Sequence, residues 1–111
     1  MSGDTSLGAS LEALFQTIDA RKAAGDTEGS YTAKLLSSGP DRIAQKTGEE
    51  AVELVIAAAK RDKSEAVAES ADVLYHMAVL WAALGIAPED VAAALDGRRG
   101  TSGIEEKKSR G

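Results

Sequence analysis

Five carboxylates, Glu49, Glu50, Glu53, Glu69 and Asp72, fall inside two stretches otherwise rich in Ala, Val and Leu. On a helix of about 3.6 residues per turn, the first three lie within an arc of about 100°, and Glu69, Asp72 and His76 within about 60°. A turn centred near Arg61 would pair the two helices antiparallel. Glu53 then stands level with Glu69, Glu50 with Asp72, and Lys46 with His76. Carboxylates facing one another across axes about 8 to 10 Å apart resist joint ionisation, and a divalent cation removes the conflict.

The ligand chemistry narrows the ion. An oxygen-only cluster, with no cysteine and a single histidine in the chain, suits a hard cation such as Mg²⁺ rather than zinc. Lys34, Lys46 and Arg42 lie close enough in sequence to receive a polyphosphate beside such an ion, where in-line attack by water becomes feasible. Neither a GxxxxGK[ST] loop nor a GxGxxG turn is present to cradle phosphates with backbone amides. A mixed Glu/Lys arc is also what a solvated helix face looks like, and the residues alone leave both readings open. His76 by itself reads as a core or rim histidine, and Trp81 as a core or interface contact.

The elements that must position these groups are helical. Aromatics make up 4% of the 111 residues, and no stretch alternates with the β-branched enrichment of a sheet. The expected fold is all-α, a helical bundle built on a long antiparallel hairpin. Residues 1–9 are expected to be a flexible N-terminal segment, 10–97 one domain, and 98–111 a charged tail that orders on ligand binding. A first helix starts near Ser10, since Gly8 disfavours an earlier start, and presents Leu11, Leu14, Phe15 and Ile18 before stopping near Gly25. A short helical segment follows Ser30. Pro40 and Asp41 open the long third helix, Asp62 and Glu65 the fourth, which ends at Gly85, and Pro88 a short fifth. The fourth helix is apolar nearly all round, so it is expected in the core or against a second chain.

Charge and composition exclude several partners. A net charge of −5 argues against a duplex nucleic-acid surface, which needs a basic stripe. The longest apolar run, residues 77–87, falls short of the roughly 20 residues that span a bilayer. The absence of cysteine and of a signal-like N-terminus makes the cytoplasm the expected location.

The pattern EEAVE followed by ESAD resembles the E-E-x-x-E and E-x-x-D signature of the MazG-type, all-α nucleotide pyrophosphohydrolase superfamily. Within it, GSYTAKLLSSGPDRIAQKTGEEAVELVIAA, ESADVLYHMAVL and the tail GTSGIEEKKSR resemble the phosphoribosyl-ATP pyrophosphatase family over nearly the whole chain. The resemblance implies Mg²⁺-dependent hydrolysis of phosphoribosyl-ATP to phosphoribosyl-AMP and pyrophosphate, the second step of histidine biosynthesis. It implies metal binding by Glu50, Glu53, Glu69 and Asp72. Glu49 matches the first acidic position, assigned to water activation or a second metal. Lys34 and Lys46 fall in segments suited to phosphate contacts, and Ser30, Tyr31 and Thr32 in a segment suited to lining the substrate pocket. A homodimer is expected, and a separate phosphoribosyl-AMP cyclohydrolase as the next enzyme. Two other functions fit the same residues: a house-cleaning nucleoside triphosphate pyrophosphohydrolase of this fold, and a non-catalytic helical oligomerisation module.

Overall fold

The computed structural model describes residues 6–99, which form five helices and no strand. They are α1 (Leu7–Ala24), α2 (Tyr31–Ser37), α3 (Pro40–Ala59), α4 (Lys63–Leu84) and α5 (Pro88–Asp96). The expected flexible segment at residues 1–5 and the tail beyond residue 99, including its ordering on ligand binding, lie outside the described residues.

α1 begins before the expected Ser10. The Ser6 hydroxyl accepts a hydrogen bond from the Ala9 amide at 3.1 Å, satisfying one of the orphan donors of a first helical turn. Gly8 is thereby carried within that turn, and the cap offsets its propensity cost of at most about 1 kcal/mol. Ser30 caps α2 in the same way, accepting from Ala33 at 3.1 Å. Gly39, at φ 92°, turns the chain into α3 through a conformation that a side chain would strain, and Pro40 follows at the first helical position, where it lacks no needed donor.

The connection between α3 and α4 fixes the register of the hairpin. Asp62 N–H donates to Ala57 and Arg61 N–H to Ala58, both at 3.1 Å, which is a Schellman closure. Arg61 occupies the left-handed position, at φ 58°, and among the described residues it is the one non-glycine with positive φ. Asp62 then caps α4 by accepting from the Glu65 amide at 3.0 Å. The turn thus centres on Arg61, as the pairing of carboxylates requires.

α4 is the central element, packed against α1, α2 and α3. The core joins Ile18 of α1, Leu35 of α2, Ile43 of α3, and Ala78 and Val79 of α4, with Leu14, Phe15, Leu36 and Leu80 around them. Ile18, Ile43 and Val79 are sealed from solvent, and burial of each such side chain contributes about 1.5 to 3 kcal/mol. The Phe15 and Trp81 rings meet at 5.9 Å. By length and composition α4 as a whole would suffice to cross a membrane, which the shorter run at residues 77–87 does not suggest. Packing against three helical neighbours covers part of that apolar girth, Val67 and Leu84 stay more than half exposed, and Glu65, Glu69 and Asp72 interrupt it.

Candidate functional site

The hairpin register brings the carboxylates of α3 and α4 together. Glu50, Glu69 and Asp72 each offer one oxygen, and the three oxygens lie within 4.8 Å of one another. Glu50 and Glu69 are half-buried, while Asp72 is exposed. Glu53, one turn further along α3, hydrogen-bonds with Glu69. Partial burial first, then that bond, then the charges of Glu53, Glu50 and Asp72 push the Glu69 carboxyl up from 4.5 to about 7. The proton that Glu69 holds below about pH 7 lies in the hydrogen bond it shares with Glu53.

A proton on Glu69 is the cluster's own relief of crowded negative charge, and a divalent cation supplies the same relief more completely. The donors are all oxygens, which matches a hard ion, and three of them leave positions for water and phosphate oxygens. Glu50, Glu69 and Asp72 could hold such an ion, with Glu53 steadying Glu69. Glu49 stands outside this group. It is exposed, accepts from Gln45 Nε2 at 3.2 Å, and lies 3.8 Å from Lys46 Nζ.

Arg42 and Lys46 precede these acids on the same stripe of α3. With Tyr31 and Lys34 of α2 they line a groove of about 250 Å³. Lys34 and Arg42 form no ion pair with any described residue, so the groove has uncompensated positive charge in a chain whose net charge is −5. Of the other residues expected at the substrate, Ser30 spends its hydroxyl on the α2 cap and Thr32 hydrogen-bonds with the Tyr75 hydroxyl of α4. The exposed ring of Tyr31 lies 6.3 Å from that of Tyr75, at 24°.

Tyr75 is the positioning residue that sequence reasoning missed. It ties α2, with Lys34, to the carboxylate-bearing helix, and burial raises its hydroxyl above the usual tyrosine range. Its position one turn after Asp72, as an aromatic with a polar tip on an apolar helix, was the available signal. His76 is buried, as a core histidine. Its Nδ1 donates to the Asp72 carbonyl at 2.8 Å, and Nε2 has no partner among the described residues.

An all-α bundle whose carboxylates face one another across a single helix hairpin, beside a cationic groove, defines a class of protein equipped for phosphate chemistry. The chain belongs to the phosphoribosyl-ATP pyrophosphohydrolase family, whose model matches residues 11–99. It is 54% identical to a phosphoribosyl-ATP pyrophosphatase of Rhodobacter capsulatus, over 91% of this chain and 97% of the relative. It is 53% identical to one of Azospirillum brasilense, over 99% and 98%, and 58% identical to phosphoribosyl-ATP pyrophosphatase 1 of Bradyrhizobium diazoefficiens, over 87% and 91%.

Proposed function

We propose that this chain hydrolyses phosphoribosyl-ATP to phosphoribosyl-AMP and pyrophosphate, the second step of histidine biosynthesis, in the cytoplasm and with Mg²⁺. The observation that carries the reading is the convergence of Glu50, Glu69 and Asp72 to within 4.8 Å in a chain of this family. Glu50, Glu69 and Asp72, with Glu53 beside them, would hold a Mg²⁺ ion, which when bound would neutralise phosphate charge and make a coordinated water more acidic.

The chain's own residues do the rest. Lys46, one turn before Glu50, lies where it can neutralise phosphate oxygens of the bound chain and so lower the barrier to attack by a nucleophile. Glu49 accepts a proton from the attacking water. Its carboxylate lies 3.8 Å from Lys46 Nζ, which keeps it beside the phosphate-binding end of the site. The new P–O bond forms as the bond between the α and β phosphates breaks, and the electron pair leaves with pyrophosphate. Phosphoribosyl-AMP then passes to a phosphoribosyl-AMP cyclohydrolase.

The functional unit is a homodimer in this reading. Val52, Val55 and Ile56 are exposed on α3, Val52 and Val55 on the side away from Glu50 and Glu53, and Val67 is exposed at the start of α4. Such an apolar strip calls for a cover, and a second copy of the hairpin offers a matching one.

Glu50→Gln and Asp72→Asn test the metal assignment. Each is expected to lower turnover by more than about a hundredfold and to abolish the rise in melting temperature that Mg²⁺ gives the wild type, with helical content intact. Full turnover in both variants would remove the three-carboxylate site from the reaction.

A further inference from the structure

We propose that Arg42, together with Lys34, binds the phosphate of the phosphoribosyl group, the end of the substrate that a free nucleoside triphosphate lacks. The inference rests on the substrate assignment above and adds the residues that read the substrate's identity.

Phosphoribosyl-ATP is anionic at two ends, a triphosphate at one and a sugar monophosphate at the other. The protein likewise presents two separate charge features along one stripe of α3. Lys46 lies about 6 Å before Glu50 along the helix axis, whereas Arg42 lies about 12 Å before it, beyond the carboxylates that engage the triphosphate. Lys46 is already drawn toward the acids, 3.8 Å from Glu49. Arg42 and Lys34 are not, since neither pairs with any described acid. They line the same groove from two different helices, and no carboxylate lines it with them.

The groove wall between them fits what must lie between two phosphates of such a substrate. Tyr31, 56% exposed, lines it, and its ring is backed by that of Tyr75 at 6.3 Å. A purine can stack on such a face without any sequence of hydrogen bonds to specify it. Arg42 adds a planar fork that matches two phosphate oxygens at once, while Lys34 contributes a point charge from α2.

The test compares Arg42→Ala, Arg42→Lys and wild type by the KM for phosphoribosyl-ATP and by the inhibition constants of ATP and of ribose 5-phosphate. Arg42 is exposed, so the alanine variant is expected to fold, which circular dichroism checks. Arg42→Ala is expected to raise the KM for phosphoribosyl-ATP, and the inhibition constant of ribose 5-phosphate, by about 10- to 100-fold. The inhibition constant of ATP should move by less than about threefold, and Arg42→Lys should recover part of the loss. An equal loss on ATP would assign Arg42 to the triphosphate and overturn the proposal, as would no change on any ligand. If wild type itself leaves phosphoribosyl-ATP intact, the functional assignment fails, an outcome separate from either of these.

Discussion

The proton on Glu69 makes the carboxylate cluster testable without any substrate. Its carboxyl is raised from 4.5 to about 7 in the folded chain, so between those values the folded state holds a proton that the unfolded state releases. That stabilising contribution is fully present below about 4.5 and is lost as pH rises through about 7. Metal-free protein is therefore expected to lose melting temperature between pH 5.5 and 8, and Glu69→Gln to flatten that slope. Mg²⁺ must displace the same proton. Its apparent affinity should strengthen by up to about tenfold per pH unit below 7 and level off above it, which calorimetry at several pH values would show. A pH-independent affinity across this range would mean that Glu69 does not meet the ion. The acids themselves were legible in the sequence because their spacing and the position of Arg61 determine which faces meet. The tie from Thr32 to Tyr75 was not, because hydroxyl pairing between helices leaves no periodic trace. Nor was the separation of Glu49 from the three-oxygen group, which depends on side-chain partners rather than on helical phase.

At the scale of elements, the site depends on the turn between α3 and α4. Arg61 holds a left-handed conformation, at φ 58°, that costs a non-glycine residue about 1 kcal/mol. Its guanidinium recovers part of this by donating to the Ala58 carbonyl at 2.9 Å. Arg61→Gly is expected to stabilise the protein by at most about 1 kcal/mol, read as a higher urea midpoint, whereas Arg61→Val should destabilise it because a β-branched side chain fits that region poorly. Ile43 is the contact by which α3 enters the core, sealed from solvent, and Ile43→Ala should cost about 2 to 5 kcal/mol. A smaller loss in urea unfolding would show that the site end of α3 is held elsewhere. Four of the five helices begin where proline, capping residues and the short segment after Ser30 indicate. α1 departs from that reading because the contribution of Ser6 as a cap outweighs a propensity argument built on Gly8 alone.

At the scale of the whole molecule, the described residues bury few large side chains and leave Val52, Val55, Ile56, Val67 and Leu84 each at least half exposed. A small domain with so much apolar surface is expected to complete its core by association. The double variant Val55→Glu/Ile56→Glu should shift the mass measured by light scattering from twice the chain mass toward a single chain, with loss of thermal stability. An unchanged mass would place the interface elsewhere or remove it. The central claim, that this hairpin holds a cation for the cleavage of phosphoribosyl-ATP, is tested most directly by pyrophosphate release from phosphoribosyl-ATP with and without Mg²⁺, beside an ATP control. The account predicts release that requires Mg²⁺ and leaves ATP intact. Release without a divalent ion would contradict the cation site, comparable release from ATP would contradict the selective groove, and no release from either would leave Glu50, Glu69 and Asp72 as a charged face on a helical bundle.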